Sequence, residues 1–472
     1  MKSFLNTILQ KRQDAGGFKN LILHTAFALT FTSGLSYFLG LVRDRAFAQT
    51  FGAGADLDVY NAAFVVPDFF LAFLVTSGLS AAFVPIFTGL DEQGKGVKGV
   101  FKKGAEIVGG KVKGSLVHSD AIMYTNQVLS YGLFLLVIFS ALFAIFLPDL
   151  APFLVPGFDE VKMAEYVKVT RLMLISPVLF TISNTFGNVL ISIKEFLWYG
   201  MAPVMYNLGI IVGVFVFVPE FGLMGLVGGT ILGAMLHLSI RIPSVFKYGF
   251  RFKLNFSFDG KMKETVILMV PKMFQIGMWQ VLLWWFVSLA SRLPEGSVTI
   301  YSFARNFQSV PVSLIGIAIA LSAFSRLSHI AAQGDYKEFK KVVRRKSLMV
   351  SGYTALAALA LALISYPLID ILLGGGKFDD NAVMATASLL AVYCVSVPLE
   401  SVMHLYARAH YALKNTLRPS GIHVMTIVLT MCVSSVLLEE VGLFAIPLGF
   451  AIGLLVQVLL LAMSLRQLTL KS

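Results

Sequence analysis

The chain has 472 residues, of which 57% are hydrophobic and only 14% charged, with a formal net charge of +12. Soluble domains run near a quarter charged, so this composition excludes a set of water-soluble domains and points to a membrane protein. The basic excess sits in short loops between apolar blocks, where it carries topology information, and nucleic-acid binding is set aside on that ground.

In chain order, Met1 to Asn20 carries Lys2, Lys11, Arg12 and Lys19 and lacks a short apolar core with a small-residue cleavage site. It reads as a cytoplasmic amphipathic lead-in (1–21), not a cleaved signal. Blocks long enough to cross about 30 Å of hydrocarbon follow. They predict an all-α integral membrane fold of about twelve transmembrane helices: 22–42, 58–89, 125–147, 162–190, 197–218, 223–243, 264–291, 297–328, 348–373, 382–411, 416–437 and 442–465. The loop 91–124 is long, basic and rich in glycine, and suits a connector lying near anionic headgroups or a lipid or partner site. Cys394 and Cys432 both lie in apolar segments, which leaves no disulfide framework or metal spacing.

Lys and Arg set the orientation. With the N-terminus inside, the inner segments hold 28 of the 38 basic residues and the outer loops hold 5. That bias predicts both termini in the cytoplasm.

The chain reads as duplicated. Span two contains Tyr60-Asn61, Pro67 and Ser77-Gly78-Leu79-Ser80-Ala81-Ala82-Phe83; span eight contains Tyr301 with Asn306, Pro311 and Ala320-Leu321-Ser322-Ala323-Phe324. Both are second in a six-span block, so the repeat is parallel and a substrate path is expected between two pseudo-symmetric six-helix lobes. The division is 22–246, a linker at 247–263, 264–466, and a tail at 467–472.

Charges inside a bilayer are costly and therefore candidates for function. Arg43, Asp44 and Arg45 end span one, and Asp58 opens span two. Lys272 follows Pro271 in span seven, and Arg305 lies inside span eight. Glu400, His404 and Arg408 recur at four-residue spacing on one face of span ten. A ladder of paired side chains explains that face; a proton or ion relay is the sharper alternative. No Walker loop, HExxH or Cys/His metal spacing occurs, so neither nucleotide drive nor a cofactor is expected, and a coupling cation stays open.

Five segments carry a resemblance: Ser36–Asp44 (S-Y-F-L-G-L-V-R-D), Phe51–Asp58 (F-G-A-G-A-D-L-D), Ser77–Phe87 (S-G-L-S-A-A-F-V-P-I-F), Ala202–Gly209 (A-P-V-M-Y-N-L-G) and Tyr411–Pro419 (Y-A-L-K-N-T-L-R-P). In order and spacing the chain resembles the MurJ/MviN lipid II flippases of the multidrug/oligosaccharidyl-lipid/polysaccharide exporter superfamily, from about residue 22 to 466. The resemblance implies a V-shaped, alternating-access pair of lobes with a cationic cavity for lipid II, an undecaprenyl-linked glycolipid of the bacterial inner membrane. It implies membrane lipids and cell-wall synthesis proteins as partners. Arg43 matches an essential family arginine, Asp58 the acid after F-G-A-G, and Thr299 a position often held by Ser.

The departures are Tyr37 in place of the arginine of S-R-x-L-G, Thr76 and Ser77 in place of an acid, Asn306 and Ser309 in place of Arg and Glu, and Asn415 in place of Asp. Arg305 sits one place before the missing arginine, from which its long side chain is expected to reach the same cavity. No thirteenth or fourteenth span is expected. The competing readings are another exporter of the superfamily, for lipid-linked sugars or drugs, and a membrane scaffold in cell-wall assembly. A drug exporter would favour buried acids, and a scaffold needs no deep charge.

Overall fold

The computed structural model describes residues 2–76, 79–95 and 117–470, with the side chains of 2–26, 74–76, 79–81, 93–95, 271–272 and 469–470 left out of that description. Ser77-Gly78, most of the basic loop and the Lys272 side chain therefore lie outside the described residues.

The first half opens with α1 (Lys2–Phe51), which continues without a break through the expected lead-in. Then come α2 (Ala55–Phe70), a π-helical segment (Leu71–Thr76) and α3 (Leu79–Lys95). After these follow α4 (Ser119–Leu154), α5 (Glu160–Met173), α6 (Ile175–Ser192), α7 (Phe196–Val212), a π-helical segment (Gly213–Phe217), α8 (Val218–Phe221), α9 (Leu223–Ser239) and α10 (Ile242–Lys247). The second half comprises α11 (Gly260–Ser291), α12 (Ser297–Pro311), a π-helical segment (Val312–Ile317), α13 (Ala318–Ala332), α14 (Tyr336–Leu363), α15 (Ser365–Leu373), α16 (Asp380–Tyr393) and α17 (Ser396–Ala412). It closes with α18 (Leu417–Val441), a 3-10 turn (Gly442–Phe444) and α19 (Ala445–Leu470).

Where the expected spans fall on described residues they are mainly helical, and the described residues contain no strand, only one bridge between Gly375 and Phe378. Among the described residues, eight helices are long and apolar enough to cross a membrane, or nine if the bent pair α16–α17 is one span. The duplication recurs as a construction. Spans two and eight are each helix, π-helical segment, helix, with Pro67 and Pro311 beside the break. Proline has no N–H for the carbonyl one turn back, so the regular ladder shifts there.

By contact the chain forms two compact units that cut across chain order. The first gathers residues 1–43, 70–144 and 172–273. Its core stacks Phe83 on Tyr124 at 5.3 Å and sets Phe186 edge-on to Phe250 at 5.2 Å. Within it α7 and the π-helical segment after it press on α9 backbone to backbone: a Cβ on Gly213 would strike the Gly229 main chain. Small residues are what permit that approach between membrane helices. The segment Arg251–Asp259 runs without helix along α4. Asn126 donates to the Arg251 carbonyl at 3.0 Å, Ser130 accepts from Asn255 N–H at 2.9 Å, and Tyr131 donates to the Phe256 carbonyl at 2.6 Å. Asp259 caps α11 by accepting from the Lys261 and Met262 N–H groups at 3.0 and 2.9 Å, and its other oxygen accepts from Gln127 at 2.9 Å. Partial burial pushes its carboxyl up, and these donors with the Lys261 ammonium outweigh that and hold it below the ordinary value.

The second unit gathers residues 44–69, 145–171 and 274–472. Its core runs through Leu327, Phe339, Val350, Leu405 and Ala409, with Phe286, Tyr301, Tyr393 and Phe450 in edge contact above it. Large apolar side chains such as Phe146, Phe153, Leu356 and Leu363 remain exposed. In water that would be a liability; on helices of this length it is the surface a bilayer covers.

Candidate functional site

The first unit holds Arg43. Its guanidinium donates to the Asn207 side-chain oxygen at 3.0 Å, and the Asn207 amide donates onward to the Ser36 carbonyl and hydroxyl at 3.1 and 3.3 Å. Two separate motifs of the sequence, Ser36–Asp44 and Ala202–Gly209, thus meet in one hydrogen-bond chain. Asn207 is buried and fixes the direction of the arginine head, which is itself half-buried. Sequence reasoning quoted Asn207 as part of a motif and assigned it no role.

The second unit brings Asp58 and Thr299 together. Asp58 accepts from the Gly296 N–H at 2.7 Å and from the Thr299 N–H and hydroxyl at 2.8 and 2.7 Å. It is 2% exposed and Thr299 0%. The physical cause lies in α12. Its N-cap position is Gly296 at φ 89°, which offers no side-chain cap, so the orphan N–H groups take a carboxylate from another helix. The arrangement is reciprocal. Glu295 accepts from the Ala55 N–H at 2.9 Å, at the start of α2, and pairs with Lys162 at 3.2 Å. Each of the two helix starts is capped by an acid belonging to the other segment. Gly296 is required there: besides its left-handed backbone, a Cβ would strike Ala53.

Arg45 joins the same end. One nitrogen donates to the Ile371 carbonyl and, at 3.4 Å, to that of Leu372, the final carbonyls of α15, where a cation suits the helix dipole. Gln49, with its amide oxygen turned toward Arg45, accepts at 3.2 and 3.0 Å, and the Gln49 carbonyl receives the Lys377 N–H at 3.0 Å. Arg45, Asp58 and Thr299 were expected as substrate contacts. The structure gives each a partner within this clamp, which ties the ends of α1 and α2 to the turns before α12 and α16.

Arg305, expected to reach toward a cavity, instead commits its guanidinium inside the second half. It pairs with Glu400 at 3.3 Å, bonds Gln308, and lies 5.8 and 5.1 Å over the Trp279 and Phe450 rings. Gln308 donates to Glu400 and to the Ser396 hydroxyl, both at 3.0 Å. Its contacts therefore speak against a side chain extended to replace the missing arginine. His404 follows one turn after Glu400, and Arg408 donates to the His404 carbonyl at 3.2 Å. Glu400, the head of the expected relay, is thus the centre of a buried ion pair, and no cluster of three metal-ligating side chains occurs among the described residues. The Lys272 side chain is outside the described residues.

Long apolar helices, π-helical breaks at matching prolines, and charges placed at helix ends inside the protein define a polytopic helical transporter. The profile of the lipid II flippase MurJ family matches residues 47–471, and the chain belongs to that family. Its relatives include the probable lipid II flippase MurJ of Borreliella burgdorferi, 23% identical with 90% of this chain and 79% of the relative covered. The lipid II flippase MurJ of Burkholderia cenocepacia is 25% identical, with 95% and 84% covered. In fold, a solved lipid II flippase MurJ in an inward closed conformation matches with TM-score 0.76 and 19% identity, over 93% of this chain and 87% of that one. An inward-facing multidrug resistance MATE family transporter matches with TM-score 0.72 and 13% identity, over 92% and 94%.

Proposed function

We propose that this chain moves lipid II from the inner to the outer leaflet of the bacterial cytoplasmic membrane by alternating access, with both termini in the cytoplasm, twelve spans in two lobes and no nucleotide hydrolysis. The observation that carries the reading is the family match across residues 47–471. Arg43, whose guanidinium donates to Asn207 at 3.0 Å, is the residue we assign to the diphosphate, since a guanidinium matches phosphate in charge and in hydrogen-bond geometry. On this reading the contacts of Asp58, Glu295 and Arg45 part for release.

The drive follows from charge. The diphosphate is anionic and the cell interior negative, and each charge moved outward down 100 mV gains about 2.3 kcal/mol. Purified protein in sealed vesicles with labelled lipid II tests this. With equal pH on both sides, flipping is expected to stop when the potential is collapsed and to persist when sodium is removed. Flipping that survives loss of the potential but halts without sodium overturns the assigned drive.

A further inference from the structure

In the second half the buried charge of Glu400 is matched by Arg305. Span two contains an acid with no such partner among the described residues. Asp68 directly follows Pro67, ten residues after Asp58 at the start of α2. At 1.5 Å per residue that is about 15 Å along the helix, half the thickness of a hydrocarbon core of about 30 Å. Among the described residues, no hydrogen-bond donor and no charged or titratable side chain of any element acts on its carboxylate.

The side chain is exposed, and it shares a face with Asn61, seven residues or almost two full turns earlier. Val65 lies between them and Ala72 one turn beyond. A face carrying an amide and a carboxylate is a wet face, because a lone charge turned to lipid is prohibitive. The opposite face of α2 buries Val59, Ala62, Ala63 and Val66. Pro67 also has no N–H to donate to the Ala63 carbonyl, and the helix becomes π-helical from Leu71. The carboxylate therefore stands about 15 Å along the span from Asp58, beside a break in the helix, exposed and, among the described residues, without a counter-ion.

A metal cation needs several oxygen ligands, and among the described residues no group of three metal-ligating side chains includes this one. A proton needs only one oxygen, and the neutral acid removes the cost of carrying a bare charge through the cycle. We propose that Asp68 is a proton-binding site. One carboxylate oxygen takes a proton from the outer phase, the empty carrier returns with the group neutral, and the proton is released inward as the carboxylate re-forms. Each outward lipid step is then exchanged for one inward proton. The coupling rests on the lipid II reading; the proton site itself does not.

Two measurements separate them. The first is infrared difference spectroscopy of the full-length protein in lipid between mildly acid and mildly alkaline buffer. A protonated-carboxyl band is expected in the wild type, absent in Asp68→Asn and shifted in Asp68→Glu. An identical band in Asp68→Asn, or no band in the wild type, overturns the site whatever the substrate. The second is the outer-to-inner distribution of labelled lipid II at clamped potential. With acid outside, about one pH unit should shift it about tenfold in the wild type, one proton per unit being worth a factor of ten. The shift should vanish in Asp68→Asn and return in Asp68→Glu. A shift retained in Asp68→Asn, or not restored in Asp68→Glu, overturns the coupling; a wild type that moves no lipid II refutes the substrate and leaves the infrared result standing.

Discussion

Removing the Asp58 carboxylate should open the outer end of the molecule. In Asp58→Ala the Gly296 N–H, the Thr299 N–H and the Thr299 hydroxyl lose their acceptor at positions that are almost fully buried. Hydrogen bonds to a charged group contribute about 1.5–3 kcal/mol each. The three share one acceptor and do not add, so we take about 3 kcal/mol as the loss to the closed state. At 1.4 kcal/mol per factor of ten, that moves the closed-to-open ratio roughly a hundredfold. Val298, in the first turn of α12, is 0% exposed and reports on the change. In a background with Cys394 and Cys432 replaced, Val298→Cys should react with a membrane-impermeant maleimide applied outside about a hundredfold faster once Asp58 is alanine. Asp58→Asn, which keeps one oxygen for Thr299 but turns an amide toward the Gly296 N–H, should fall between. Equal labelling rates in Asp58→Ala and its parent would show that this carboxylate caps a helix and closes nothing.

Arg43→Ala and Arg43→Lys should both fail to support flipping at matched protein level, and Asn207→Ala should weaken it by the loss of one charge-assisted hydrogen bond, about 1.5–3 kcal/mol; full activity in both Arg43 variants removes that residue from transport. Arg305→Met leaves Glu400 buried and uncompensated, which should cost about 3–5 kcal/mol of stability in thermal unfolding, and adding Glu400→Leu should recover most of it. If the double variant is no more stable than the single one, the pair is not the unit described. Asp259→Ala should cost about 1 kcal/mol at neutral pH through the lost helix cap. Because the folded carboxyl lies below its ordinary value, its contribution is present at neutral pH and disappears as pH falls through the folded value, so the variant and wild type should converge in acid; a gap that persists there contradicts the assignment.

The helices were legible because hydrocarbon thickness dictates the length of an apolar run, and the described parts of the expected runs are mainly helical. Their ends were not, since hydrogen bonding rather than hydropathy sets them. α14 begins at Tyr336, twelve residues before the apolar run, because Asp335 accepts from the Glu338 N–H at 2.9 Å. The expected ninth span then breaks at Ile364 into α15. The special residues were also legible, as charges where hydrocarbon forbids them. Their roles were hidden because the partners are distant in sequence: Asp58 meets Gly296, Arg45 meets Ile371, and Arg43 meets Asn207. Nothing local to Arg45 says that it will find the end of another helix. Glu295 and Lys162, far apart in sequence, pair at the start of α2. Asp68 carried no sequence signal; its exposure and the lack of a partner among the described residues mark it.

Replacement of a resident flippase tests the central claim most directly. Cells depleted of their own lipid II flippase and supplied with this chain should resume growth, keep their shape and expose lipid II in the outer leaflet, whereas the same cells supplied with Arg43→Ala at equal protein level should lyse. Lysis with the wild-type chain present in the membrane at normal amount would contradict the assignment of lipid II as its substrate.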